Sequence, residues 1–209
     1  MKSSIYFIII SFISFATIPL LAQETLDNRN VWVGGQSGYV VFGELAPLKG
    51  QSTFNVIVDM QIPQMGVTYE PDSVYVEKRV TEWNAERPGK GDKWLSYWND
   101  SKDHFKAVFI AGMNEKLSKE GIQIGLDDFN SEYTMILKTK HMMEFMNAIF
   151  IIPDIYIVKT EQTSDTVAHV RCPVNNSALG SQYCVGTYEQ AYYTTGALFG
   201  RYLRKTLYK

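Results

Sequence analysis

A chain of 209 residues, 45% of them hydrophobic and with a formal charge of -2, can bury one sizeable core and lacks the positive balance of a broad nucleic-acid-binding face. No repeat, low-complexity tract or long linker interrupts it, so the composition points to one globular domain.

The N-terminus reads as an export signal. Lys2 precedes an almost unbroken apolar run from Ile5 to Leu21, and the chain turns polar at Gln23 after "PLLAQ". This predicts a signal peptide over residues 1–22 with a cut after Ala22, leaving 23–209 as the domain; an uncleaved anchor is the competing reading. The residue immediately after the cut is Gln23 and not cysteine, which argues against a lipid anchor, and no later segment is apolar for long enough to span a bilayer. The expected location is therefore periplasm, cell envelope or medium.

"YVVFGEL" (39–45) and "STFNVIVDM" (52–60) are rich in β-branched and aromatic residues, and Pro47, Lys49 and Gly50 mark a turn between them. They read as adjacent strands. "PDSVYVEKRVTEWN" fits both periods, but Val76, Val80 and Trp83 fall at helical spacing behind the start signals Pro71, Asp72 and Ser73, which favours a helix.

"RPGKGDKWLSYW" (87–98) raises the question of a phosphate-binding loop. It lacks the Gly-x4-Gly-Lys-Ser/Thr spacing such a loop requires. Pro88, Gly89 and Gly91 instead break the first helix, and Asp92 is placed to cap a second one that runs through "DHFKAVFIAGMNEKLSKEG", with room for an irregularity near Asn99 to Ser101. Trp94 and Trp98 then share a face with Phe105, Val108, Phe109, Met113 and Leu117, and Gly121 is a natural left-handed stop. Two readings of Trp94 and Trp98 follow: core packing, or a platform for stacking a sugar.

Beyond Gly125 the period becomes that of strands. "EYTMILKTK" (132–140), "FIIPDIYIVKTEQ" (150–162) and "TVAHVRC" (166–172), the last after a turn at "TSD", suggest an antiparallel meander. The loop "RCPVNNSALGSQYC" holds Cys172 and Cys184, most simply a disulfide in an exported chain and worth about 3 kcal/mol at best. The closing segment opens with Thr187 and Gln190 at capping-box spacing and puts Tyr192, Phe199 and Leu203 on one side of a helix. Gly196 and Gly200 permit close approach to the sheet or another helix, and Arg201, Arg204, Lys205 and Lys209 suit a helix C-terminus, or alternatively an anionic partner.

No catalytic set emerges. His104, His141 and His169 lie in no metal-ligand spacing, so no metal or cofactor is assigned. Ser37 in "GGQSGY" misses the nucleophile-elbow pattern because Tyr39 stands where the second glycine belongs. Asp127 and Asp128 are neighbours that point apart and read as solvated loop acids. Cys172 or Cys184 with His169 imitates a thiol enzyme, but a disulfide accounts for both cysteines. Asn99 and Asn175 sit in N-x-S sequons.

The run "VVFGELAPLKGQSTFNV", followed by "YVEKRVTEWNAERPGKGDKWLSYWNDSKDHF" and the Gly-containing terminal helix, resembles an uncharacterised family of small secreted or envelope proteins from Bacteroidetes-like bacteria. The resemblance implies an α/β or α+β domain with two helices inserted after the first strands and one at the end. It carries no activity or catalytic residue.

These readings converge on an α+β fold: a mixed, mainly antiparallel sheet of about five strands, covered on one face by helices starting at Ser73 and Asp92 and by the terminal helix. The expected function is a non-enzymatic exported module binding an envelope protein, glycan or lipid surface. The alternatives are a hydrolase with a dispersed site, or a carbohydrate-binding module using Trp94 and Trp98.

Overall fold

The computed structural model describes residues 31–33, 36–125, 130–145, 148–172 and 187–208. The predicted signal peptide, Asp127, Asp128, Asn175, Cys184 and Lys209 lie outside the described residues.

The domain is α+β. Its strands are β1 (Val31–Val33), β2 (Gln36–Gly43), β3 (Thr53–Asp59), β4 (Gln64–Met65), β5 (Gln123–Gly125), β6 (Tyr133–Phe145), β7 (Ala148–Lys159) and β8 (Gln162–Arg171). Its helices are α1 (Asp72–Glu86), α2 (Lys90–Leu117) and α3 (Tyr188–Leu207). The sheet runs β1-β2-β8-β7-β6-β3-β5, with β4 paired to β6 beyond the end of β3. β3 pairs parallel to β5 and β6, β4 pairs parallel to β6, and the other neighbours are antiparallel.

The five long strands are those the residue pattern predicts, and β6, β7 and β8 form the expected meander. The predicted adjacency of the first two is corrected: β2 pairs with β8 while β3 pairs with β6, so three strands separate them. Pro47 does not close a hairpin. It opens a single 3-10 turn, Ala46–Leu48, and buried Leu45 and Leu48 carry the link into the core. The chain turn expected at "TSD" also falls earlier, at Thr160 and Glu161, and Thr163 to Asp165 extend β8. Pro153 is accommodated inside β7 because it lies opposite a register shift in β6 between Thr139 and His141.

Alternate residues of the long strands face the helices. Phe54, Val56, Met135, Leu137, Ile155, Ile157, Ala168 and Val170 join Phe105, Phe109, Met113, Tyr192, Phe199 and Leu203 in one core. α2 and α3 cover this face, and α1 rests on α2 through Val76, Val80 and Trp83, the stripe that identified it as a helix.

α2 begins at Lys90 and not at Asp92, and its cap comes from a neighbour. Asn84 of α1 accepts from Gly91 N–H at 2.9 Å and donates from its amide to Asp92 at 3.0 Å, so one side chain ties the two helices together. Gly89 allows the approach by adopting φ +76°. The helix then runs unbroken through Asn99 to Ser101, where the sequence allowed an irregularity. At its end Gly121 takes the left-handed conformation after one 3-10 turn, and Ile122 N–H donates back to Leu117 O. Thr187 caps α3 by accepting from Gln190 N–H at 3.0 Å.

α2 and α3 pack parallel at very short range: a Cβ added to Gly112 would stand 2.1 Å from Tyr193 O, and one added to Gly196 would stand 2.1 Å from Phe109 O. Of the two surfaces Gly196 and Gly200 were predicted to approach, the structure selects a helix. Tyr192 fills the seam by stacking on Phe105 at 4.0 Å and bonding Thr139 Oγ1 at 2.8 Å.

Candidate functional site

Because β-strand side chains alternate, the residues between the core positions of the same strands build a second face. Register places them in two rows across the sheet. Phe42, His169, Tyr156, Ile136 and Ile57 are successive partners across β2, β8, β7, β6 and β3. Beside them Arg171, Asp154, Lys138 and Asp59 are successive partners across β8, β7, β6 and β3.

The first row is apolar and aromatic with exposed ends, Phe42 at 56% and Ile57 at 45%. Its centre is closed by His169 stacking on Tyr156 with ring centroids 4.3 Å apart. Five strands at about 4.8 Å spacing make the row roughly 19 Å long.

The second row alternates in sign, and its hub is Asp154, which is fully buried. Arg171 donates to it through Nε at 2.8 Å and Nη2 at 3.2 Å, and Lys140 Nζ lies 2.8 Å from Oδ2. His169 Nε2 is 3.2 Å from the same oxygen but out of line, so that nitrogen is buried without a hydrogen bond. Burial alone would raise the Asp154 pKa, yet His169, Arg171 and Lys140 outweigh it and hold the carboxyl well below the ordinary range. It is a charge locked by cations.

A cleft of ≈ 510 Å³ adjoins the rows, between the sheet and the start of α1. Lys138, Lys140, Tyr156 and Asp59 line its sheet side, and Pro71 and Asp72 its helix side. Both acids have a lysine nearby: Asp59 pairs with Lys138 at 3.9 Å and Asp72 with Lys102 at 3.4 Å.

The residues singled out from sequence lie elsewhere. Trp94 and Trp98 are 7% and 2% exposed and stack with centroids 6.2 Å apart. Trp98 meets Tyr188 and Phe105 edge-on, and Trp83 meets Trp94 edge-on. These rings belong to the core and present no open face to a sugar. Trp94 Nε1 donates to Tyr188 Oη at 3.3 Å, Tyr188 donates to Glu144 at 3.1 Å, and Glu144 pairs with Arg79 at 2.8 Å, with Arg79 lying over the Trp83 ring at 4.2 Å. The cluster is thus stitched to the surface by its own cation.

The histidines do not converge. His104 is exposed on α2, while His141 bonds Gly66 O through Nε2 at 2.8 Å and stacks on Tyr69. Among the described residues His169 is the one of the three that meets an acid. Cys172 is buried, and burial, with the nearby Asp154 charge, pushes its thiol up to about 12. Its predicted partner Cys184 is outside the described residues. Among the described residues no three His, Cys, Asp or Glu side chains gather in an arrangement able to hold a metal ion, and no helix is long and apolar enough to cross a membrane.

Sequence reading missed the second face as a unit. A charged residue inside the apolar run "FIIPDIYIV" was its available signal, since an acid in a buried strand demands partners.

The site and fold define an α+β domain with one helix-covered and one amphipathic sheet face. No protein-family model matches the chain, and no curated protein matches it. Among solved structures it is similar to a dodecamer of a single-residue variant of PelC from Paraburkholderia phytofirmans, at 10% identity over 82% of this chain and 99% of that one, with a TM-score of 0.39.

Proposed function

We propose that the protein is an exported, non-enzymatic module that binds a protein surface through the second face of its sheet. The observation that carries this reading is the row from Phe42 to Ile57, apolar, exposed at both ends and flanked by a row whose charges largely pair internally. An apolar strip bordered by paired charges has the make-up of a protein interface, with a desolvated centre and a polar rim. A glycan is less suited to it, because the one aromatic ring near its centre, Tyr156, is already stacked on His169. An anionic lipid surface is less suited too, because the neighbouring row carries both signs.

The hydrolase reading draws less support from the same residues. Asp154 is held ionised by Arg171 and Lys140, which removes it as a proton donor, and the buried Cys172 thiol is far from a thiolate at neutral pH. The test is a photocrosslinking residue placed at position 42 or 57 in the natively produced protein. One discrete adduct common to both positions, absent when the probe sits at exposed Thr81 on α1 and lost from position 57 on Phe42→Asp, is the expected result. Absence of any adduct at 42 and 57, or the same products at all three positions, would overturn the reading.

A further inference from the structure

We propose that the C-terminal ends of α2 and α3 form a binding site for a compact, multiply charged anion of the phosphate class. The two helices run parallel, so their last turns lie side by side, and a pocket of ≈ 300 Å³ opens between them. Glu115, Lys116 and Lys119 line it from the α2 side, and Arg201, Arg204 and Lys205 from α3, so five of its six lining residues are cationic.

The competing explanation is that these cations only offset the negative helix ends. Magnitudes decide against it. Each helix C-terminus carries about half a negative charge, so two together supply about one. Among the described residues, the carboxylates paired with this cluster are Glu115, which accepts from Lys116 and Tyr193, and Glu120, which pairs with Arg204 at 3.1 Å. Lys205 has an interaction of its own and is left out of the balance; the other four cations against two carboxylates leave two positive charges, more than the one or so that the helix ends balance.

The arrangement also has the right chemistry. Two guanidinium groups offer planar forks for phosphate-type oxygens, and the lysines act as point charges on flexible stems. The volume is at the small end of ligand pockets, which suits a phosphate or pyrophosphate group and not a larger organic molecule. Such a group can come from a soluble phosphate ester or from a lipid headgroup. The site is independent of the sheet face, since no residue is common to the two.

The test is calorimetric titration of the full chain at low ionic strength with pyrophosphate, and separately with vesicles of phosphatidylglycerol in phosphatidylcholine. Lys119→Gln with Arg201→Gln removes two lining cations outside the Lys116–Glu115 and Arg204–Glu120 contact pairs, Arg201 acting on Glu115 through its charge alone. Lys138→Gln on the sheet face is the control, and unchanged melting temperatures establish that both variants fold. Lys119→Glu alone, at an exposed position, repeats the test without touching packed parts of α3. Binding of either probe that weakens at least tenfold in the double variant, and not in the control, is the expected result. Pyrophosphate binding identifies a soluble source, and vesicle binding alone a headgroup. Failure to bind either probe, or binding weakened no more by the double variant than by the control, would overturn the proposal.

Discussion

The two faces of the sheet are made by the same strands, one residue apart, and they solve different problems. On the face under α2 and α3, Phe54, Val56, Leu137, Ile155 and Val170 pack without a charged group among them. On the other face their neighbours include Asp59, Lys138, Asp154 and Arg171 beside Phe42, Ile57 and Tyr156. The first face derives stability from area removed from water, a non-directional effect that tolerates little loss of volume. The second depends on a buried charge whose partners must stay in register, while its apolar row stays largely available at the ends. A strand with period two can therefore carry a core and a recognition surface at once.

The largest expected effects break each face at its most committed residue. Trp98→Ala should cost about 3 to 5 kcal/mol in urea unfolding, because it removes a ring packed against Trp94, Phe105 and Tyr188. Asp154→Ala should also destabilise, by at most about 3 to 5 kcal/mol, for the opposite reason, because it removes the buried carboxylate to which Arg171 and Lys140 are paired. If Asp154→Ala proved neutral, the charge row would be ornament and the contrast between the faces would collapse.

Acid sharpens the same contrast. The folded Asp154 carboxyl titrates below its unfolded value of about 3.9, so its stabilisation is complete above that pH and is lost as the pH falls through the folded value. Asp154→Asn lacks this loss. The gap in melting temperature between wild type and Asp154→Asn should therefore be widest near neutral pH and narrow steadily in strong acid, whereas the gap to Trp98→Ala should show no such trend from this group.

Smaller effects follow. Gly112→Ala forces a methyl against Tyr193 O and should cost about 1 to 3 kcal/mol by separating α2 from α3. Phe42→Ser, at an exposed end of the apolar row, should change stability by no more than about 0.5 kcal/mol while abolishing crosslinking from position 57. A large loss of stability there would mean that Phe42 belongs to a core and not to an interface.

Periodicity made much of this legible. The β-branched and aromatic content of "STFNVIVDM" identifies β3, the Val76, Val80 and Trp83 stripe separates α1 from a strand, and the spacing of Trp94, Trp98, Phe105 and Phe109 marks the buried side of α2. The short strands β1, β4 and β5 escaped because two or three residues show no period. The cap on α2 escaped because the residue that supplies it, Asn84, sits in a different helix, and a local rule looks only at neighbours such as Asp92.

By itself the sequence determined the class of fold, the long elements and the buried side of the helices, because hydrophobic spacing is a local property that a helix must satisfy wherever it docks. Only the tertiary structure decided that β2 leaves β3 to pair with β8, that Asp154 meets Arg171 and Lys140, and that the basic ends of α2 and α3 converge. Each of these is a pairing across many residues of chain. Its register depends on turns, bulges and close helix contacts such as Thr160 to Glu161, the shift after Thr139, and Gly112 against Tyr193, and a slip of one residue there would carry every side chain of a strand to the other face.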